Sequence, residues 1–145
     1  MDNRTIDEKQ QEIIEEFSYF DDWMDKYEML IQLGKELPLI DEKYRIESKL
    51  IKGCQSQVWM HAEEINGKVF YTADSDAVIT KGLVSMVIKV LSGHTPEEIA
   101  QANLYFIEAI GLQNHLSPTR SNGLLAMIKQ MKLYAVALQQ QKINS

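Results

Sequence analysis

The chain has 145 residues, of which 45% are hydrophobic and 25% are charged, an ordinary composition for a soluble globular domain. Its formal net charge of −6 argues against a nucleic-acid-binding surface, which is normally basic. No apolar run approaches the ~20 residues that cross a bilayer, and Met1–Arg4 lead into an acidic helix instead of an apolar signal sequence. We therefore expect one cytoplasmic domain over residues 1–145 that binds neither nucleic acid nor a membrane.

Two helices are predicted in the first part of the chain. Thr5 and Glu8 have the spacing of a capping box, which begins the first helix. A second helix should begin after Asp21 or Asp22 and end near Gly34. Both helices carry apolar residues on one face and acidic residues on the other, so we expect them to pack against a common core.

A β-hairpin is predicted in the middle of the chain. The dipeptide Asn66-Gly67 separates two strand-like runs, Gln57–Ile65 and Lys68–Ala73, and is typical of a two-residue type I′ turn. This turn sets a register in which Trp59 faces Asp74. The residues expected on the core side are Val58, Met60, Ala62, Val69, Tyr71 and Ala73.

A third strand and further helices complete the predicted fold. Residues 48–51 are expected to add a short antiparallel strand to the hairpin. Helical patterns follow over residues 77–91, from Thr95-Pro96 to about 101, over 104–110, and from Ser117-Pro118 to about 140. In the last of these, the residues expected to face inward are Leu124, Leu125, Ile128, Met131 and Leu138. The fold class is therefore α+β, a three-stranded antiparallel sheet packed with surrounding helices.

The chain contains a single cysteine, Cys54. One thiol cannot form an internal disulfide, a CxxC redox pair or a cysteine-rich metal site. Cys54 lies between a glycine and short polar residues, just before the first strand, where a partner could reach it. The hairpin register also places Asp74-Ser75-Asp76 at the same end of the sheet as Cys54, away from the turn.

Five sequence blocks carry a specific resemblance when they are taken together. They are Lys52-Gly53-Cys54-Gln55-Ser56-Gln57-Val58-Trp59, Ala73-Asp74-Ser75-Asp76-Ala77, Lys81-Gly82-Leu83, Gly93-His94-Thr95-Pro96-Glu97-Glu98-Ile99 and His115-Leu116-Ser117-Pro118-Thr119-Arg120-Ser121-Asn122-Gly123-Leu124. In this order and spacing they resemble the SufE-type sulfur acceptor family over essentially the whole chain.

The resemblance implies a SufE/NifU-like fold and a function in sulfur transfer. Cys54 would accept persulfide sulfur from a pyridoxal-phosphate cysteine desulfurase, stimulate that enzyme, and deliver the sulfur to scaffold proteins of iron–sulfur cluster assembly. Arg120 and Asp74 would belong to the functional neighbourhood. The protein would be an accessory carrier without enzymatic turnover, without a cofactor or metal of its own, and a monomer or weak homodimer. Delivery to another sulfur pathway remains an alternative.

Three residues near Cys54 in the sequence or in the predicted fold suit this chemistry. The attacking species must be a thiolate, and a nearby positive charge favours it. Lys52 is adjacent in sequence, and Arg120 could reach the thiol from the start of the last helix. Gly53 permits a backbone bend in a loop that must enter another protein's active site.

Two other classes of function remain open from the residues alone. Cys54 could be the nucleophile of a hydrolase, with His61 or His115 as base and Asp74 as the orienting group, although no protease-like signature surrounds the cysteine. The chain could also be a structural or metal-binding module, although one cysteine and scattered histidines do not have the usual spacing of zinc ligands. Rapid alkylation of the isolated protein would favour the hydrolase, and slow alkylation a sheltered acceptor.

Overall fold

The structure is a computed structural model that describes residues 3–144, so the predictions for Met1, Asp2 and Ser145 lie outside the described residues. The elements are α1 Ile6–Ser18, α2 Trp23–Lys35, β1 Val58–Ile65, β2 Lys68–Ser75, α3 Val78–Leu91, α4 Pro96–Gln101, α5 Phe106–Ala109 and α6 Pro118–Asn144, with short 3₁₀ turns at Glu42–Tyr44, Glu47–Lys49 and Leu112–Asn114. Among the described helices, none combines the length and apolarity needed to cross a membrane.

The predicted starts of α1 and α2 are confirmed by their capping hydrogen bonds, whereas the helix predicted over 104–110 forms only at Phe106–Ala109. The Thr5 hydroxyl accepts from the Glu8 backbone N–H, and the Glu8 carboxylate accepts from the Thr5 N–H, each at 3.0 Å. Asp22 caps α2 by accepting from the Met24 N–H at 2.9 Å. Because these bonds satisfy N–H groups that a helix leaves unpaired at its start, they fix where α1 and α2 begin.

The hairpin forms in the predicted register. Trp59 pairs with Asp74 and Ile65 with Lys68 across the antiparallel strands. Asn66 and Gly67 adopt φ angles of 54° and 83°, the left-handed conformation that a type I′ turn requires at both positions. The core face is as predicted: Val58, Met60, Val69, Tyr71 and Ala73 are buried, and Ala62 is partly buried.

The prediction of a third strand over residues 48–51 is wrong, because the sheet formed by the described residues 3–144 has two strands. Glu47–Lys49 form a 3₁₀ turn, and only Leu50 and Ile51 follow β1, through an isolated bridge to Trp59 and a bond from the Ile51 N–H to the Val58 carbonyl. The chain then turns away at the next residues. The turns before and after this segment leave only Leu50 and Ile51 extended, and two residues are too few to form a β-ladder with β1.

The hydrophobic core lies between the inner face of the hairpin and the helices, with α3 at its centre. Helix α6 contributes a buried stripe consisting of Leu124, Met127, Met131 and Ala135. The prediction that Leu125 faces inward is wrong, since this side chain is 64% exposed. Leu125 is next to Leu124 in the chain, so it lies about 100° around the helix from that buried side chain.

Candidate functional site around Cys54

Cys54 lies in a short loop, residues 52–57, that is tied at its base. The Ile51–Val58 backbone bond closes the loop on one side. On the other side, the Asp76 carboxylate accepts from the Gln57 N–H at 3.0 Å, and the Asp76 N–H donates to the Gln57 carbonyl at 3.4 Å. These contacts fix both ends of the loop to the edge of the hairpin and the residues just before α3.

Gly53 gives the loop its shape. Its φ angle of 94° lies in the region that side-chain-bearing residues rarely adopt. A Cβ at this position would also lie 3.3 Å from the Ala126 Cβ of α6. Conformation and space therefore both favour glycine immediately before the cysteine.

Helix α6 shelters the thiol. Cys54 is half-buried, and its Sγ donates to the Gly123 carbonyl at a distance of 3.5 Å. Burial raises the pKa of the Cys54 thiol. Because the bond to a carbonyl oxygen also requires the proton, the resting site favours the thiol over the reactive thiolate.

The thiol lines a cavity of about 340 Å³ between the loop, α3 and the first turns of α6. The lining residues are Cys54, Gln55, Ser56, Thr80, Leu83, Ser117, Thr119, Arg120, Gly123 and Met127. Arg120 is the cation of this set, and four lining residues carry hydroxyl groups. Since Ser117, Thr119 and Arg120 are exposed, the cavity opens to solvent at the start of α6. Positive charge and hydroxyl donors suit an anionic or polarisable sulfur species.

The predicted site residues are brought together only in part. Cys54 and Arg120 line the same cavity, whereas Gly53 and Lys52 precede the thiol in the chain without lining it. Asp74 is also outside the lining set. It is 8% exposed, accepts a hydrogen bond from Arg45 at 2.8 Å and forms an ion pair with Lys81 at 3.3 Å.

Asp74 instead fastens the segment that leads into the loop. Arg45, its nearer partner, also stacks over the Trp59 ring at 4.5 Å. Residues 41–51 are thereby held against the outer face of the hairpin, and Lys81 joins α3 to the same carboxylate. The sequence gives no sign of Arg45, because it lies in a polar connecting segment 29 residues before Asp74. Gly123 and Lys81 lie within the resembling blocks, but their contacts depend on tertiary packing.

The histidines considered for a hydrolase lie elsewhere. His61 stacks on Tyr44 with ring centroids 3.7 Å apart and lies 3.1 Å from the Glu63 carboxylate. His115 stacks on Trp23 at 3.8 Å. Neither histidine lines the Cys54 cavity, which a cysteine–histidine dyad would require. Within residues 3–141, no group of three or more histidine, cysteine, aspartate or glutamate side chains is placed to hold a metal ion.

Loosening the base of the loop should make the thiol more reactive. In Asp76→Ala the Gln57 N–H loses its carboxylate partner, and we expect alkylation of Cys54 by iodoacetamide to become roughly fivefold faster, the effect of one lost hydrogen bond of about 1 kcal/mol. In the wild type the rate should rise with pH around a midpoint above the ~8.5 of an exposed thiol, because burial raises this pKa.

Asp22→Ala is the matched control, since it removes the same kind of carboxylate-to-backbone bond far from the loop. Equal alkylation rates for Asp76→Ala and wild type across the pH range would show that this contact does not hold the loop closed.

Comparison with known proteins identifies relatives over most of the chain. A sequence profile described as SufE, Fe-S metabolism associated domain, matches residues 11–135. An uncharacterized SufE-like protein of Synechocystis is 41% identical over 139 residues, covering 96% of this chain and 87% of the relative. An uncharacterized SufE-like protein of Rhizobium etli is 40% identical over 126 residues, covering 83% of this chain and 85% of the relative.

A plant relative and a solved structure extend the comparison. The chloroplastic/mitochondrial SufE-like protein 1 of Arabidopsis thaliana is 42% identical over 134 residues, which cover 90% of this chain but 36% of the longer plant protein. The solution structure of a hypothetical protein from Thermus thermophilus superposes with a TM-score of 0.75, covering 94% of this chain and 97% of that one. At 20% identity, this likeness shows the α+β fold alone.

Proposed function

Because this chain belongs to the SufE family, whose domain is associated with Fe-S metabolism, we propose that it is a sulfur acceptor for a cysteine desulfurase. Cys54 takes the persulfide sulfur and carries it, in the cytoplasm, to scaffold proteins of iron–sulfur cluster assembly. The observation that carries the proposal is that the single cysteine of the chain lines a cavity that contains Arg120 and opens to solvent. The protein acts as a carrier and activator and needs no cofactor of its own, since the desulfurase supplies the pyridoxal phosphate.

The transfer is a thiol–persulfide exchange. The Cys54 thiolate attacks the outer sulfur of the persulfide on the desulfurase cysteine, and a new bond forms between Cys54 Sγ and that sulfur. The sulfur–sulfur bond to the desulfurase breaks, and its cysteine leaves as a thiolate. Sulfur and electrons balance without an external oxidant, because one sulfur–sulfur bond replaces another. Clearing the desulfurase cysteine for its next turnover is the reason for the stimulation.

The resting geometry supports activation by the partner. The raised pKa and the bond to the Gly123 carbonyl keep the thiol protonated before docking. Moving loop 52–57 away from α6 breaks that bond, exposes Sγ and brings it within reach of a buried persulfide. Gly53 is the position best able to absorb the backbone change. With one cysteine in the chain, the acquired sulfur cannot be lost to an internal disulfide.

Arg120 is expected to assist the exchange electrostatically. Its backbone N–H is bonded to the Ser117 hydroxyl in the first turn of α6, where a cation opposes the helix dipole, so its placement there favours a role at the cavity. Arg120→Ala should lower the rate of sulfur transfer about tenfold, or about 1.4 kcal/mol of barrier, and Arg120→Lys should lower it less. The measurement is the single-turnover rate of Cys54 persulfide formation.

Lys129→Ala provides the control, because it removes an exposed cation from the same helix away from the cavity. If Arg120→Ala unfolds at a much lower temperature while transfer per folded molecule is unchanged, Arg120 has a structural role instead.

The proposal as a whole is tested by titrating a cysteine desulfurase with the protein and following alanine production from free cysteine. We expect the turnover rate to rise and saturate at a defined stoichiometry. If the protein stimulates no desulfurase, the proposed acceptor role is wrong, and only the family membership and the fold remain established.

A further inference from the structure

The hydroxyl of Thr80 is unusual among the polar groups that line the Cys54 cavity. Thr80 is 6% exposed and lies in the first turn of α3. A helical threonine commonly satisfies its hydroxyl at a carbonyl three or four residues earlier. The structure shows no hydrogen bond between the Thr80 hydroxyl and a described residue, and this hydroxyl is not among the fully buried atoms without a partner, so it reaches solvent. A hydroxyl that reaches solvent in the wall of a cavity, on a residue that is otherwise buried, is open to a ligand in that cavity.

Ser85 is a second buried residue of α3 whose hydroxyl is unpaired within the described part of the chain, but it does not line the cavity. Ser85 lies on the same helix, is fully buried, and also has no partner for its hydroxyl among the described residues. It is absent from the lining of the Cys54 cavity, so an occupant of that cavity cannot reach it. Ser85 is therefore a packing position, whereas Thr80 shares a cavity with the thiol.

From this arrangement we infer that Thr80 binds the outer sulfur of the Cys54 persulfide and retains it between acceptance and delivery. The inference rests on the proposed function, which it deepens by assigning a sulfur-binding residue. The terminal sulfur of a persulfide is more acidic than a thiol and carries negative charge near neutral pH. It extends one bond beyond Sγ, into the cavity that Sγ lines. The Thr80 hydroxyl donates to it, and Arg120 supplies positive charge at the open side.

The other hydroxyl groups of the cavity are less suited to this role. Ser117 and Thr119 are exposed, and the Ser117 hydroxyl already accepts from the Arg120 N–H at 3.2 Å. Water competes for both. Ser56 is partly buried, so Thr80 is the most buried of the four hydroxyl-bearing residues in the lining set, where fewer water molecules compete for a hydrogen bond to an anion.

The test loads the sulfur chemically, so that it does not depend on a desulfurase. Cys54 is converted to a mixed disulfide with thiopyridine, and one equivalent of sulfide then displaces the thiopyridine anion and leaves the Cys54 persulfide. Cyanide next attacks the outer sulfur, forming thiocyanate and restoring the Cys54 thiolate. The rate of thiocyanate formation reports how firmly the cavity holds that sulfur.

Thr80→Val removes the hydroxyl while keeping the branched shape, and we expect it to lose sulfur to cyanide about tenfold faster than the wild type, as for one charge-assisted hydrogen bond. Thr80→Ser should retain most of the protection, and Ser85→Ala should match the wild type. Thr80→Ala, which also lacks the hydroxyl, serves for the comparison if the valine variant does not fold.

Equal cyanolysis rates for Thr80→Val and wild type would overturn the inference, even if a desulfurase loads Cys54 normally. The wild type could instead hold chemically loaded sulfur in a Thr80-dependent manner and yet receive none from any desulfurase. This result would support the sulfur-binding role of Thr80 and contradict only the proposed partner.

Discussion

Cys54→Ser should abolish sulfur acceptance while the fold and the docking surface persist. The hydroxyl of serine is smaller than the thiol and can still donate to the Gly123 carbonyl, which lies 3.5 Å from Sγ in the wild type. No other cysteine is present to take over the transfer. An alkoxide is not formed near neutral pH, and the hydroxyl cannot form a stable persulfide equivalent, so transfer should fall to background. The measurement is stimulation of the desulfurase, with partner binding followed separately by calorimetry.

The control for this variant is Ser56→Ala, which changes a hydroxyl in the same loop and the same cavity but keeps the thiol. It should accept sulfur at a rate close to that of the wild type. Undiminished desulfurase stimulation by Cys54→Ser would mean that the protein activates its partner by contact alone and that Cys54 is not the acceptor.

Gly82→Ala is expected to have the largest effect on stability. Gly82 lies where α3 crosses α2, and a Cβ there would meet the Leu30 carbonyl oxygen at 2.2 Å and its carbon at 2.7 Å. Backbone atoms cannot relieve the contact by a rotamer change, as a side chain can, so α2 and α3 must move apart. Overpacking of this kind exceeds the small gain in helix propensity from alanine, and we expect the free energy of unfolding to fall by about 3 kcal/mol.

Urea denaturation of Gly82→Ala measures this loss, and Gly123→Ala is the matched helical glycine. A Cβ at Gly123 would lie 3.6 Å from the Cys54 Sγ, an ordinary contact, so this variant should be at least as stable as the wild type. Because Thr80 and Leu83 lie within two residues of Gly82 and line the Cys54 cavity, Gly82→Ala should also slow sulfur transfer. Equal unfolding midpoints for Gly82→Ala and wild type would show that α2 and α3 adjust without cost.

Local signals in the sequence predict the hairpin and the helix starts well. The turn Asn66-Gly67 sets the pairing of every residue in the two strands, because a two-residue loop leaves one register. Capping groups such as Asp22 act within a few residues. The prediction of a third strand was wrong because residues 50–51 are extended and resemble a strand locally. The adjacent 3₁₀ turn leaves too few extended residues to pair with β1.

Only those residues of the candidate site that belong to the resembling sequence blocks could be predicted. The resemblance points to Cys54 and Arg120, and the structure places both on one cavity. Thr80 lies in the first turn of a largely buried helix, where nothing in the local pattern separates a cavity hydroxyl from a packed one. Arg45 meets Asp74 only because the chain folds back across the hairpin. The same pairing explains why Asp74 supports the loop from outside the cavity lining.

The central claim, that Cys54 is a persulfide acceptor, is tested most directly by intact-protein mass spectrometry after incubation with a cysteine desulfurase and free cysteine. We expect the wild-type protein to gain the mass of one sulfur atom, to lose it on treatment with dithiothreitol, and to gain nothing as Cys54→Ser. No gain of mass with several desulfurases, or the same gain in Cys54→Ser, would contradict the claim.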